Sequence, residues 1–406
     1  MATPTTAATT AAAAAAAAAA AKTATTLIAA SSAFIPRQSF DVSPSITRSY
    51  FLGHHHAALG RMRQTLNNVG LIIECRDFRV PVTSWNPLLE SSLANNPSER
   101  ARIIVYTKRD LGPPDTPSSP SQQTSTSEVI RTLRTFHAKN GHASAVLFLG
   151  TSRDDGNASD SRLLDAIKRV ARERDSLTGL RAMVVGMPNA GKSTLLNRLR
   201  ARGMGLPKAA KTGAQPGVTR KLGTPVRITP SETSAERGSQ GLGEGVFVVD
   251  TPGVFVPYVS RPEDMLKLAL VGCVKDGLVP VVTVADYLLY HLNLVDPGLY
   301  VERFCDEGPT NDVHQFLRGV AKRTGKLRKG GELSLEAAAE WVVQEWRRGG
   351  LGRFLLDEVT SETLREAVES AREPTLSMNQ ARKKDKEARK ARSEMKRLGL
   401  SPSTGE

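Results

Sequence analysis

Apolar residues gather in short runs along the first part of the chain, each broken by at most one polar residue (Glu74, Ser144 and Arg181): residues 69–75, 103–106, 143–149, 180–185 and 245–249. Each run is four to seven residues long and ends in polar or glycine-rich sequence. Runs of that length without polar alternation predict strands buried on both faces. Between them the spacing changes to a helical one. Leu163, Leu164, Ile167 and Val170 predict an amphipathic helix over 161–174, and helices are also expected over 128–139 and 193–200. Two stretches, 112–127 and 230–244, are rich in Pro, Ser, Thr, Gly or Glu and read as surface insertions. From residue 263 onward the pattern is helical. Ser334 can cap a helix running to 347, with Leu335, Ala338, Ala339, Val342 and Trp346 on its apolar face. Strands alternating with helices predict a mostly parallel α/β sheet, and the later pattern predicts a separate helical domain. The expected division is a leader over 1–48, the α/β domain over 49–262, the helical domain over 263–375 and a basic tail over 376–406.

Composition changes this picture at the two ends. The chain has 406 residues and a formal net charge of +14, which points to a polyanionic partner, nucleic acid or a membrane surface. The first 48 residues hold an alanine run among Thr and Ser, with Lys22, Arg37 and Arg48 against one acid, Asp41. A basic, hydroxyl-rich, acid-poor leader predicts a mitochondrial presequence. No segment reads as membrane-spanning, since the apolar stretch 278–294 is broken by Asp286 and His291. Cys75, Cys273 and Cys305 lie far apart, which argues for a reducing compartment and against a disulfide framework. Residues 380–397 carry nine Lys or Arg against three acids and no aromatic side chain, which predicts phosphate contacts along RNA without base reading.

The candidate chemistry sits at the strand ends. Gly186-Met187-Pro188-Asn189-Ala190-Gly191-Lys192-Ser193 is a complete phosphate-binding loop between a predicted strand and a predicted helix. Its glycines let successive N–H groups face phosphate oxygens, and the helix adds its positive end. Asn189, Ala190, Gly191, Lys192, Ser193 and Thr194 are the candidate phosphate contacts, with Lys192 reaching the β- and γ-phosphates and Ser193 on Mg²⁺. Asp250-Thr251-Pro252-Gly253 follows the fifth run. Asp250 is a candidate Mg²⁺ carboxylate, Gly253 a sensor of the γ-phosphate, and Thr219 the third candidate for the Mg²⁺ shell. Thr107-Lys108-Arg109-Asp110 predicts guanine reading, because a carboxylate can accept from both N1–H and N2–H₂ of guanine. Thr107 stands where Asn is usual, which predicts a weaker brace for that loop. Thr151 and Ser152, after the third run, are candidates to face guanine O6. The order of these motifs is permuted, since the base-reading residues precede the phosphate loop. The chain then leaves the switch at Gly253 directly into the helical part, so γ-phosphate loss is passed covalently onward.

With these motifs go Phe51-Leu52-Gly53-His54, Arg76-Asp77-Phe78-Arg79-Val80-Pro81, Asn86-Pro87, Pro216-Gly217-Val218-Thr219, Ala285-Asp286-Tyr287-Leu288-Leu289 and Gly352-Arg353-Phe354. Together they resemble the circularly permuted GTPases of the YlqF/RbgA type, over about residues 50–357. The resemblance implies a P-loop GTPase domain of permuted motif order on a parallel-sheet core, followed by a helical C-terminal domain. It implies hydrolysis of GTP with Mg²⁺, slow alone and stimulated by the ribosome. It also implies a role in assembly of the mitochondrial large ribosomal subunit through its rRNA, in the matrix, with peripheral contact with the inner membrane left open. Val254 follows Gly253 where many GTPases place a water-orienting glutamine, and the resemblance assigns that duty to His54. The other readings are a nucleotide-gated RNA-binding scaffold that hardly hydrolyses GTP, a tRNA-modification GTPase, and a membrane-surface protein held by its basic tail.

Overall fold

The computed structural model describes residues 34–43, 46–47, 53–93, 100–115, 125–141, 143–151, 153–213, 219, 222–231, 242–255, 258–259 and 261–372, with positions 380, 383, 387 and 390 beyond them. Most of the predicted leader and of the basic tail lies outside these residues.

The chain enters the described α/β unit through helix α1 (Gly53–Leu66), then β1 (Leu71–Asp77), the short α2 (Pro87–Leu93) and β2 (Ala101–Thr107). Next come α3 (Thr126–Asn140), β3 (Ala145–Leu149), α4 (Arg153–Arg174), β4 (Leu180–Gly186) and α5 (Lys192–Met204). The two-residue β5 (Val226–Arg227), β6 (Val246–Asp250) and α6 (Pro262–Leu270) follow. The strands form one sheet in the order β3-β2-β1-β4-β6-β5. Every pairing is parallel except β5 on β6. All five apolar runs are strands of this sheet, because helices cover both of its faces and each strand has to be apolar on both sides. The antiparallel β5 had no signal in the sequence. Two residues are too few to show a period.

One face of the sheet buries Leu71, Ile73, Ile103, Val105 and Val184 against Leu163 and Ile167 of α4 and Leu195 and Leu199 of α5. On the other face, Ile72, Met183 and Val185 pack with Leu59, Met62 and Leu66 of α1 and with Val254. That face also holds ions. Glu74 of β1 accepts from Arg76 Nε at 2.7 Å and from Arg102 Nε at 3.0 Å, and Arg102 reaches on to Glu90 of α2 at 2.6 Å. The Arg76 guanidinium also lies 3.9 Å from the centroid of the Trp85 ring. The aligned carboxyl ends of β2, β1, β4 and β6 form the edge from which the loops emerge, with Asp77 level with Thr107, Cys75 with Gly186 and Val184 with Asp250. Ligands of open α/β sheets bind at this edge.

A second compact unit contains residues 281–352 and the described residues 34–41. It is helical, as expected, and built from α7 (Val281–Val295), α8 (Gly298–Phe304), α9 (Val313–Thr324) and α10 (Leu335–Arg347). Ser334 caps α10, its hydroxyl accepting from Ala337 N at 3.3 Å. Residues 34–41, expected as the end of a leader, are part of this unit. Arg37 pairs with Asp286 at 2.6 Å, Asn311 donates to the Ile35 carbonyl at 3.0 Å, and Phe40 meets Tyr287 edge-on at 5.2 Å.

The units divide at 280/281 and again at 352/353, where the sequence suggested a single change at 262/263. Helix α6 stays with the sheet. So does the last described helix, α11 (Ser361–Arg372), whose Leu364 is buried with Phe78, Trp85, Ile104 and Phe136. Asp357 anchors this return: it accepts from Val82 N at 2.9 Å, Thr83 N at 2.7 Å and Lys267 Nζ at 3.2 Å. Among the described residues, no helix is long and apolar enough to cross a membrane.

Candidate functional site

The phosphate loop is shaped by what lies beside it. Gly186 ends β4 at φ +144°, and a Cβ there would stand 2.3 Å from the Cys75 carbonyl oxygen of β1, so only glycine fits this exit. Asn189 turns the loop at φ +55° and Gly191 closes it at φ +86° as the N-cap of α5. Gly191 has no side chain to cap α5, and the first N–H groups of a helix lack intrahelical acceptors, which suits that end to an anion. Lys192 is buried, and its Nζ donates to the Met187 carbonyl at 2.8 Å and the Gly186 carbonyl at 3.3 Å. Burial lowers its pKa, and Asp250 opposes the shift. An ammonium held on loop carbonyls inside the cradle is poised for an anion. Thr194 is exposed on the first turn of α5.

Beside the lysine, hydroxyl and carboxylate oxygens converge. Ser193 Oγ donates to Asp250 Oδ2 at 2.5 Å and lies 3.2 Å from Thr219 Oγ1, which in turn is 3.5 Å from Asp250 Oδ2. Asp250 Oδ1 is buried without a hydrogen-bond partner among the described residues. Burial pushes the Asp250 carboxyl up, against the Ser193 hydrogen bond and the Lys192 charge. An orphaned buried carboxylate oxygen next to two hydroxyls is a donor set that suits a small, hard cation such as Mg²⁺. Gly253 follows, packed on the phosphate loop: a Cβ there would stand 2.6 Å from Pro188 Cα. The Val254 N–H donates to the Gly186 carbonyl at 3.2 Å, and Asn86 Nδ2 donates to the Val254 carbonyl at 2.8 Å.

The base-reading candidates close the site from β2. Lys108 sits at φ +59°, and its Nζ donates to Asp77 Oδ2 at 2.7 Å and to the Asn189 carbonyl at 2.9 Å. The stem therefore spans from its own loop to the phosphate loop. Thr107 Oγ1 lies 3.0 Å from the Ala190 carbonyl and 3.2 Å from the Arg76 carbonyl. The expected loss of a brace at Thr107 is not what the structure shows, because the shorter hydroxyl reaches the phosphate loop directly. Asp110 accepts from the Thr151 N–H at 2.7 Å, and its second oxygen from the Thr151 hydroxyl. Ser152 lies outside the described residues. His54 falls in the first turn of α1, and its side chain likewise lies outside the described residues.

Chain segments far apart in sequence thus meet. Thr107 and Lys108 touch the loop at Asn189 and Ala190, and Ser193, Thr219 and Asp250 touch one another. Sequence reading missed Asp77 as the partner of Lys108. Burial alone would raise the Asp77 carboxyl, but Arg79 and Lys108 outweigh it and hold it well below the usual carboxylate range. The available signal was an acidic residue ending a buried apolar strand, where a charge needs a partner. Asn86 was noticed only within the motif Asn86-Pro87. Its hold on the switch spans 168 residues of sequence and had no local sign.

Comparison with known proteins gives the following. A family model described as a 50S ribosome-binding GTPase matches residues 181–301. The chain is 35% identical to Mitochondrial GTPase 1 of Schizosaccharomyces japonicus over 77% of its own length and 91% of the relative. It is 34% identical to Mitochondrial GTPase 1 of Schizosaccharomyces pombe, covering 82% and 95%. It is 31% identical to Mitochondrial ribosome-associated GTPase 1 of Xenopus tropicalis, covering 80% and 99%. Among solved structures, GNP-bound YlqF from T. maritima aligns over 74% of this chain and 98% of that one, with a TM-score of 0.44 and 20% identity.

Proposed function

The chain belongs to the mitochondrial GTPase 1 family and hydrolyses GTP to GDP and phosphate, and from that premise we propose that it acts as a nucleotide switch in maturation of the mitochondrial large ribosomal subunit. The observation that carries the switch is the meeting of Lys192, Ser193, Thr219 and Asp250 at the start of α5, with Gly253 packed on Pro188. A γ-phosphate arriving beside Lys192 can take the third N–H of an ammonium whose other two rest on loop carbonyls, with Gly253 as its sensor. The ribosomal role is supported by the relatives' names and by the net charge of +14, which suits rRNA. Those names also support a mitochondrial location. Matrix residence, with peripheral contact with the inner membrane, is part of the proposal.

Each group has a role in the proposal. Asn189 to Thr194 bind the phosphates, and Lys192 offsets their charge. Ser193, Thr219 and Asp250 would hold Mg²⁺, which would supply positive charge beside the phosphates. Asp110 reads N1–H and N2–H₂ of guanine and Lys108 lies along the base; Ser152 faces O6, while Thr151, expected there too, spends both of its donors on the Asp110 carboxylate and holds it instead. Asp250→Asn is expected to remove the Mg²⁺ dependence of GTP affinity, read by titration calorimetry with and without Mg²⁺. A variant that keeps the full Mg²⁺ effect would take Asp250 out of the site. The raised Asp250 carboxyl gives the sign with pH: in the wild type, acidification weakens the Mg²⁺ effect from a higher pH than an ordinary carboxyl would.

Val254 is apolar and buried with Leu59, Met62 and Leu66 of α1, so the helix whose first turn carries His54 packs on the switch. We assign water orientation to His54, delivered when ribosomal RNA or protein fixes that helix start. The test is GTP turnover with and without large-subunit precursors. Wild type is expected to be stimulated, and His54→Ala to lose about 10²–10⁴ of the stimulated rate while keeping its basal rate. Equal stimulation of both proteins removes His54 from the mechanism. No stimulation of either removes the ribosomal trigger.

A further inference from the structure

The base-reading carboxylate is held from the phosphate side of the site by Arg198. This arginine stands on α5, six residues and about one and two-thirds helical turns after Lys192. Its Nη1 donates to the Gly150 carbonyl at 2.8 Å, and its Nε donates to Asp160 Oδ2 of α4 at 2.8 Å. The Gly150 carbonyl and the Thr151 N–H are two ends of one peptide unit, and that unit is planar. Arg198 holds the carbonyl end. The N–H end donates to Asp110 Oδ1 at 2.7 Å, and the Thr151 hydroxyl donates to the other oxygen. Among the described residues, the hydrogen bonds that the Asp110 carboxylate accepts come from Thr151 alone.

We propose that Arg198 is a positioning residue for guanine selection: it orients the Gly150–Thr151 peptide, which in turn aims Asp110 at the purine. This rests on the reading of Asp110 as the guanine-binding carboxylate. A carboxylate has about four lone-pair sites. Thr151 occupies one on each oxygen, which leaves one on each for N1–H and N2–H₂ of the base. The carboxylate can serve both donors of guanine only while its rotation is fixed. Asp160, 6% exposed, fixes the arginine in turn, so the guanidinium fork spans two fixed acceptors. Lysine at 198 would have to serve both acceptors from one nitrogen, where arginine presents two separate ones in a planar fork.

The reading separates discrimination from affinity. Inosine triphosphate keeps N1–H and O6 but lacks the 2-amino group, so the ratio of GTP to ITP affinity reports the second donor to Asp110. A hydrogen bond to a charged group implies a wild-type ratio of about 10 to 100. Arg198→Met is expected to lower that ratio by about three- to tenfold, with Arg198→Lys between the two, whereas a purely structural defect weakens GTP and ITP alike. Both variants are measured by nucleotide titration of the full chain, with thermal melting to show that they are folded, and Arg198→Lys stands alone if Arg198→Met does not fold. A folded variant with an unchanged GTP/ITP ratio overturns the inference. Asp110→Asn is the separate control: it should shift preference from GTP to xanthosine triphosphate, whose C2 carbonyl can accept from the new amide. If that shift occurs and the Arg198 variants keep the wild-type ratio, only the role of Arg198 falls. If Asp110→Asn leaves base preference unchanged, the guanine-reading assignment falls and the inference with it.

Discussion

Lys192→Ala is expected to cut kcat/KM for GTP by at least about 10²–10³, the usual cost of removing one donor aimed at developing transition-state charge. The side chain is buried in the loop, so no neighbouring surface lysine can replace it. Its two acceptors, the Met187 and Gly186 carbonyls, belong to the turn that has to receive the phosphates. The effect on the free protein has the opposite sign. Burial lowers the lysine's pKa, which means that the folded state holds this charge at a cost. Removing it therefore leaves the melting temperature of the nucleotide-free protein unchanged or higher, while the stabilisation by added GTP is lost. Steady-state turnover and a thermal shift with and without GTP measure the two signs together. A variant that hydrolyses GTP at the wild-type rate would remove the phosphate loop from the mechanism.

The largest stability effect is expected at Glu74→Ala, on the opposite face of the sheet from α5. Glu74 lies between Arg76 and Arg102; Glu74 and Arg76 are almost wholly buried, and the Arg102 side chain is 15% exposed. Deleting the carboxylate leaves the two guanidiniums, among the described residues, with Glu90 to share, at 3.3 Å from Arg76 and 2.6 Å from Arg102. Breaking a buried pair from one side costs about 3–5 kcal/mol, out of a total stability of about 5–15 kcal/mol. Urea unfolding followed at two wavelengths checks this, with a lower midpoint expected for the variant. Burial would raise the Glu74 carboxyl, but Arg102 and Arg76 win and hold it down at about 2, against an ordinary value of 4.5. A carboxyl depressed in the folded state contributes stability that is present above pH 4.5 and lost as pH falls toward 2. Asp77 acts in the same direction. Wild type should therefore lose stability steeply below pH 4.5, and Glu74→Ala should show a shallower decline across the same window. An equally steep decline in the variant would mean that Glu74 does not carry the acid sensitivity.

The chain's local chemistry was enough to establish that a phosphate loop joins a buried strand to a helix, and that Asp250 and Gly253 follow another strand. Those features depend on residues within about ten positions of one another, and on strands that must be apolar throughout because helices cover both faces. The permuted order of the motifs was equally plain, since order is a property of sequence. What held those motifs in place was not visible. The grip of Lys108 on Asp77 crosses 31 residues, that of Arg198 on Gly150 crosses 48, and that of Asn86 on Val254 crosses 168. The Thr107 hydroxyl, which looked like a lost brace, meets the Ala190 carbonyl 83 residues away. The return of α11 to the sheet, and the packing of residues 34–41 with the helices of the second unit, have the same character. A hydrogen bond or an apolar contact between distant segments leaves no period or spacing in the chain. The parallel sheet alone decides which strand ends stand level, and only there do Asp77 and Thr107, or Val184 and Asp250, become neighbours.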